Sequence, residues 1–319
     1  MTAVFLTIDT EIAWRHRMAG LASAEVFSRS FDPAGVGLAW QLDLLARHDL
    51  KACFFVDPMP ALVYGLAPIR RVVDAIIAAG QEVQLHLHPQ WAGARADDLD
   101  AHGRFQLWEY EEGAQAQLIE AAAELLEAAG APTPIAFRAG SYAADAATLS
   151  ALARLGFAYD SSHNGAEAPK WSRIGLPADR IAPLQLAVTE VPITTIEDSP
   201  GHFRTFQPCA LSTAEAAAAL DHAMVQDHAA LTIVSHSFEL ANRAGTRPNA
   251  VHVRRFEALC RMLDDRRGAL ATCWFRDRPD LPLDRADRPL PPARMRTGLR
   301  QAEQLWSNWV EERAQGFRA

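Results

Sequence analysis

Cysteine is scarce in this chain and is nowhere clustered. The 319 residues contain four cysteines, with no C-x-x-C pair and no histidine at zinc-finger spacing; they are Cys53, Cys209, Cys260 and Cys273. This pattern argues against a disulfide scaffold and against a cysteine-based structural zinc site. We therefore expect four free thiols that pack as small apolar side chains.

Excess positive charge and long apolar runs are also lacking. Thirty-one Lys and Arg stand against 39 Asp and Glu, a formal net charge of −8. This balance argues against a general nucleic-acid surface, a polybasic membrane contact and an acidic polymer as ligand. The first residues carry no basic stretch and no small-residue cleavage site, and no later run is long and uncharged enough to span a bilayer. We expect a cytoplasmic protein with no membrane span and no nucleic-acid partner.

The chain has the composition of a globular protein, with 49% hydrophobic and 22% charged residues. Its length allows one large α/β domain or two average ones. A core of that size can be stable without structural metal, so any metal bound here is expected to take part in chemistry.

Short apolar runs alternate with segments of helical periodicity, which indicates repeated βα units and a largely parallel sheet. Strands are predicted at 4–8, 52–56, 82–87, 135–138, 158–160, 188–193, 231–235 and 270–275, and helices at 37–47, 69–79, 115–129, 144–155, 213–226 and 253–265. Long connections follow strands at 90–112 and 161–186, and loops in that position line the ligand site of βα folds. We predict one barrel domain over 1–278. Residues 279–319 form a Pro- and Arg-rich tail with a short amphipathic helix, which packs on the barrel or on a partner subunit.

Ionisable side chains are concentrated where the predicted strands finish. Asp9 and Glu11 are two residues apart, as are His86 and His88, so each pair lies on one side of an extended chain. Two imidazoles with a carboxylate suit a divalent metal, although ordinary hydrogen bonding at a loop end explains a histidine pair equally well. Other strand ends carry single candidates, Arg138, Asp160 and His236. Because several strands deliver such groups to one barrel face, an active site is favoured there.

These segments resemble the polysaccharide deacetylase superfamily, with the NodB homology domain of family 4 carbohydrate esterases, and are most similar to its WalW-like branch. Six segments carry the resemblance in order, over residues 3–275: TIDTE at 7–11, KACFFV at 51–56, GQEVQLHLHP at 80–89, FRAG at 137–140, YDSS at 159–162 and VSHS at 234–237. The resemblance implies a distorted (β/α) barrel with about seven parallel strands. It also implies a divalent metal, most commonly Zn²⁺, and hydrolysis of N-acetyl groups on sugars.

The resemblance also implies a role for each matching residue. Asp9 matches the general base that takes a proton from the metal-bound water, and Arg138 matches the arginine that orients this base. His236 matches the histidine that protonates the leaving amine, and Asp160 the acid that tunes that histidine. Glu11 and His86 fall at metal-ligand positions.

One position departs from the family pattern. The second histidine of the family's metal motif would fall at position 90, where this chain has Gln90. His88 is the expected substitute, because residues two apart on a strand can converge on one ion.

The expected function is therefore a metal-dependent hydrolase that removes an acyl group, above all N-acetyl, from a sugar or a polysaccharide precursor. Two alternatives stay open: a non-sugar amide hydrolase of the allantoinase kind on the same barrel, and an inactive barrel that only binds glycan. A backbone N–H near Gly140 is expected to meet the oxyanion. Four aromatic residues of the long loops could stack on a sugar or simply pack; they are Trp91, Trp108, Tyr142 and Trp171. The tail is a candidate contact between subunits of a homo-oligomer.

Overall fold

A computed structural model describes residues 1–307 and 309 of the chain. The strands are β1 Thr2–Thr10, β2 Cys53–Val56, β3 Glu82–Leu87, β4 Ala136–Ala139, β5 Tyr159–Asp160, β6 Leu184–Gln185, β7 Thr189–Glu190, β8 Thr195–Ser199, β9 His202–Thr205, β10 Ala230–His236 and β11 Leu270–Thr272. The helices are α1 Trp14–Met18, α2 Ser23–Phe31, α3 Leu38–Arg47, α4 Ala61–Tyr64, α5 Ala67–Ala78, α6 Glu112–Ala128, α7 Ala146–Arg154, α8 Thr213–Val225, α9 Ala250–Asp265 and α10 Arg294–Ser307.

The main sheet is curled and mostly parallel, in the order β10-β1-β2-β3-β4-β5-β7-β6. β11 pairs with the first residues of β1, whereas β2 pairs with its last residues. Only the β6–β7 pairing in this sheet is antiparallel among the described residues, and β8 and β9 form a separate hairpin. The predicted barrel class is confirmed. The strand predicted at 188–193 is shorter than expected, because Pro192 has no N–H with which to continue the ladder.

The side chains of β1 alternate between two cores. Val4, Leu6 and Ile8 belong to the large core between the sheet and the helices. Phe5 faces the barrel interior, where it stacks on Phe275 with ring centroids 4.4 Å apart. Since side chains two apart on a strand share a face, the residues that follow Phe5 at this spacing continue the interior face toward the carboxyl end. The barrel floor is therefore aromatic, and its polar groups gather at the opposite end.

The described part of the tail packs on the barrel. Arg300 in α10 contacts Glu215 of α8 and Asp198 of β8, with N···O distances of 3.1 Å to each. Residues 308 and 310–319, which belong to the predicted tail, lie outside the described residues. A subunit contact through this tail stays a prediction.

No helix in the described ranges is long and apolar enough to cross a membrane. All four cysteines are free, as expected.

Candidate active site

The carboxyl ends of β1, β3, β4 and β10 bring most of the predicted residues together. The pairing of β1 with β10 sets Asp9 beside His236, and the pairing of β3 with β4 sets His86 beside Arg138. All strands here run parallel, so their last residues meet at one edge of the sheet. The spacing of two residues within the Asp9–Glu11 pair then places both carboxylates over the barrel interior.

Glu11, His86 and His88 form a compact cluster. One ligand atom from each lies within 4.8 Å of the others. Glu11 Oε2 is 3.0 Å from His86 Nε2 and also contacts His88 Nε2. Burial raises the pKa of Glu11, but the imidazoles of His88 and His86 outweigh it and hold that pKa well below its usual range. Burial lowers the pKa of His88, whereas Glu11 and other carboxylates raise it to about 9.

The donor set of this cluster fits a divalent cation. His86 Nδ1 is 2.8 Å from the carbonyl oxygen of Arg138, which can only accept, so Nδ1 carries a proton. In the neutral imidazole the lone pair is then on Nε2, and it faces the Glu11 carboxylate. The His86 lone pair and the Glu11 carboxylate repel each other unless a positive charge lies between them. Two imidazoles with one carboxylate are typical zinc ligands.

Arg138 and Asp9 form a buried ion pair beside the cluster. Arg138 is fully buried, and its Nη1 donates to Asp9 Oδ1 at 2.6 Å and to Thr7 Oγ1 at 2.8 Å. Its other nitrogens donate to the Ser161 carbonyl and hydroxyl at 3.0 Å, and its guanidinium lies 4.3 Å from the Phe55 ring centroid. These contacts hold Arg138 in one position, so it orients the Asp9 carboxylate and leaves Oδ2 available.

His236 faces the carboxylates of Asp9 and Glu11. Its Nε2 is 3.7 Å from Asp9 Oδ2 and 3.9 Å from Glu11 Oε1. Its Nδ1 is 3.0 Å from Glu239 Oε1. Burial lowers the pKa of His236, but Glu239, Asp9 and Glu11 together raise it to about 10. These carboxylates therefore favour the protonated imidazole, and Nε2 faces Asp9 and Glu11.

Comparison with solved structures identifies this arrangement of strands. A provisionally assigned polysaccharide deacetylase from Mycobacterium smegmatis aligns with a TM-score of 0.53 and 20% sequence identity, over 90% of this chain and 94% of that chain. The chain has the polysaccharide deacetylase fold. No protein-family model matches the sequence, and no curated protein matches it.

Two further structures align with the chain at lower similarity. One is a family 4 carbohydrate esterase from Streptomyces lividans, with a TM-score of 0.43 and 14% identity over 92% of this chain and 98% of that chain. The other is a CE4 family pseudoenzyme from Bacillus anthracis, with a TM-score of 0.40 and 12% identity over 93% of this chain and 65% of that chain.

The acid expected to tune His236 makes different contacts. Asp160 is fully buried on β5, where it accepts hydrogen bonds from the Ser162 hydroxyl at 2.7 Å and backbone N–H at 3.3 Å. Its register partner on β7 is Glu190, and burial raises the pKa of both carboxyls. The carboxylate at His236 Nδ1 is instead Glu239, because the 3₁₀ turn that follows β10 folds this side chain back over the imidazole.

Gln207 holds Glu239 in place. The Gln207 amide donates to Glu239 Oε1 and also lies 3.3 Å from His236 Nδ1. His252 Nδ1 donates to the Glu239 backbone carbonyl at 2.8 Å. Glu239 was not among the sequence-predicted residues. The only sequence signal for Glu239 is that it comes three residues after His236. Residues at this spacing lie side by side only if the chain forms a helical turn there.

Glu239 is expected to matter for turnover and not for metal binding. Glu239→Ala should lower kcat by about 10²-fold, since His236, the predicted proton donor, loses the group that orients it. KM and zinc affinity should stay unchanged, and Glu239→Gln should recover part of the rate because it keeps an acceptor for Nδ1. Steady-state kinetics and a chelator competition measure these values, with exposed Glu120→Ala on α6 as the matched control. Equal loss of zinc affinity would contradict this role.

Gln90 lies next to His88. Its Nε2 is 3.3 Å from His88 Nδ1, and its Oε1 is buried with no hydrogen-bond partner in the described part of the chain. Rotation of this amide by 180° would bring Oε1 to Nδ1, where it would accept the proton that a histidine bound to metal through Nε2 must carry. Gln90 thus fits the role of a support for His88.

His88→Ala is therefore expected to weaken metal binding more than Gln90→Ala. Loss of a ligand should lower zinc affinity at least about 100-fold, and loss of an outer-shell partner about 10-fold. Competition with a chromophoric chelator measures both. The opposite order would make Gln90 the ligand and His88 its support.

The loop after Arg138 is tightly packed and strained. A Cβ at Gly140 would lie 2.6–2.7 Å from the His88 ring, so only glycine lets this backbone approach the metal cluster. Ser141 and Tyr142 follow with φ of +54° and +58°, a conformation that L residues rarely adopt. Such strain is concentrated at functional sites. It supports the expectation that backbone groups near Gly140 serve the reaction.

Of the four loop aromatics, Trp91 is unavailable to a ligand. It is fully buried in the core, with its ring centroid 4.7 Å from that of Trp14. Trp108 donates its indole N–H to the Trp171 carbonyl at 3.1 Å and stacks against Arg173. Packing therefore accounts for Trp91, and a sugar-stacking role stays a prediction for the others.

Proposed function

We propose that the protein is a metal-dependent hydrolase that removes an acyl group, foremost N-acetyl, from a sugar or polysaccharide precursor, with Zn²⁺ at Glu11, His86 and His88. The observation that carries this proposal is the proximity of three groups: a set of metal ligands, a candidate base and a candidate acid. His236 Nε2, whose ring is backed by Glu239, lies within 4 Å of both Asp9, the carboxylate that Arg138 orients, and Glu11 of the ligand cluster. A binding protein has no use for a paired base and acid.

The positions of Asp9 and His236 allow each of them one proton transfer in this reaction. Bound to the three ligands, a divalent cation would supply Lewis acidity toward the acyl carbonyl and the attacking water. Asp9 accepts the proton of that water on Oδ2, since Oδ1 is held by Arg138. His236 then donates its Nε2 proton to the leaving nitrogen, and Glu239 stabilises the imidazolium until that transfer. An amine leaves readily only when protonated, so both groups are needed.

Acetate release tests the proposal directly. The purified protein should release acetate from N-acetylglucosamine oligomers or from nucleotide-linked N-acetylglucosamine. Dialysis against a strong chelator should abolish the activity, and zinc should restore it. Hydrolysis of a cyclic ureide alone would replace the sugar substrate with the allantoinase-like alternative. Zinc binding with no turnover of either substrate class would favour the glycan-binding barrel, and full activity after metal removal would overturn the metal assignment.

A further inference from the structure

Asp57 is a buried acid at the end of β2 that has no place in the site described above. Val56, the last residue of β2, is the register partner of Thr10 on β1 and of the residue before His86 on β3. The next row across these three strands therefore contains Glu11, Asp57 and His86. Residues in one row of a parallel sheet project to the same face. Asp57 thus lies between two members of the metal cluster.

The side chain of Asp57 is only half satisfied. Its backbone N–H donates to the Thr10 carbonyl at 3.1 Å, which fixes the residue beside Glu11. Oδ1 accepts from the Met59 N–H at 3.1 Å. Oδ2 is buried and has no hydrogen-bond partner among the described residues. A buried carboxylate oxygen left in this state costs free energy unless a bound group satisfies it.

The charges that act on Asp57 belong to the metal cluster. Burial raises the pKa of Asp57 to about 6, and Glu11 raises it further, whereas His88 and His86 lower it. The carboxylate and the cluster are therefore near enough to interact through a dry interior.

We infer that Asp57 is the second carboxylate of the metal centre and that it stabilises the bound divalent cation by its charge, from behind Glu11, His86 and His88. This inference rests on the metal site of the proposed function. Two neutral imidazoles and Glu11 alone would leave a buried net charge of about +1 around a divalent ion, which is unfavourable in a low-dielectric site. A second carboxylate neutralises it. Asp57 does not belong to the compact ligand set, so we expect it to act from the layer behind Glu11, His86 and His88.

Zinc affinity of Asp57→Asn tests this inference without any enzymatic assay. Metal-free protein is titrated with zinc in competition with a chromophoric chelator. Asp57→Asn should bind zinc about 10- to 100-fold more weakly than the wild type. The matched control is Asp43→Asn on the exposed face of α3, which should change affinity less than about twofold.

Thermal unfolding separates a binding effect from a folding effect. Without metal, Asp57→Asn should be at least as stable as the wild type, because it removes a desolvated carboxyl and keeps an oxygen for the Met59 N–H. With zinc, its melting temperature should rise less than that of the wild type. If the Asn variant does not fold, Asp57→Ser, which keeps a hydroxyl for Met59, takes its place.

Two outcomes overturn the inference. Wild-type zinc affinity in the Asp57 variant overturns it alone and leaves the proposed function intact. A wild-type protein that binds no divalent cation overturns both it and the metal assignment. Weaker binding with no deacetylation of any sugar would support Asp57 as part of the metal centre while the proposed substrate class fails.

Discussion

The Asp9→Asn variant is expected to lose about 10²- to 10⁴-fold in turnover, which is the range that a positioned general base contributes. Asparagine has nearly the shape of aspartate and can still accept the Arg138 hydrogen bond through its amide oxygen. It cannot take a proton from water at neutral pH. The loss should therefore appear in kcat, in a folded but less stable protein, because the buried Arg138 charge then lacks its carboxylate.

Acetate release measures this effect, and zinc affinity is its companion measurement. Affinity within about threefold of the wild type would keep Asp9 as the base, because a lost ligand costs far more. A large loss of affinity would make Asp9 a direct ligand. Turnover within a few-fold of the wild type would remove Asp9 from the base role. Asp43→Asn on α3 is again the exposed control.

The second large effect is on stability. Arg138→Met is expected to lower the free energy of unfolding by about 3–5 kcal/mol, the usual cost of leaving one charge of a buried pair without its partner. Arg138 is fully buried, and Asp9 has a relative exposure of 2%. Water therefore cannot replace the lost guanidinium. The hydrogen bonds to Thr7 and Ser161 are lost as well.

Urea unfolding measures this change in the free energy of unfolding. Two further variants test whether it comes from the unpaired Asp9 carboxylate. Arg154→Met removes an exposed partner of Glu112 and should change stability by less than about 0.5 kcal/mol. The double variant Asp9→Asn with Arg138→Met should be more stable than Arg138→Met alone, because the orphaned carboxylate is then gone. A cost below about 1 kcal/mol for Arg138→Met would show that Asp9 is not held by charge pairing.

Much of this site could be predicted from ionisable residues at the ends of strands, because the direction of a side chain along a strand depends only on local periodicity. Asp9 and Glu11, and likewise His86 and His88, share a face through the period of two, which requires no knowledge of the fold. The parallel sheet then brings the two pairs to one edge. Asp57 also directly follows a predicted strand, but it lies one residue beyond the motif at 51–56 and was not among the predicted site residues.

The contacts of His236 could not be predicted in the same way. Asp160 and Glu239 are both acids near strand ends, and nothing local distinguishes which one reaches the imidazole. Asp160 lies on β5, beside Glu190 of β7, a strand that comes only after a long loop. Glu239 meets His236 because the chain makes a 3₁₀ turn after β10. A turn of one residue more or less would have pointed it elsewhere.

The sequence by itself therefore determined the barrel class, the free thiols and which residues of a strand share a face. The tertiary structure alone decided the pairs between strands and loops: Glu239 with His236, Gln90 with His88, and Asp57 beside the metal cluster. The physical reason is backbone conformation. Side-chain direction along a strand follows from its regular geometry over two residues. The contacts of Glu239 and Gln90 depend instead on how the chain turns after each strand, and the position of Asp57 depends on the register between strands.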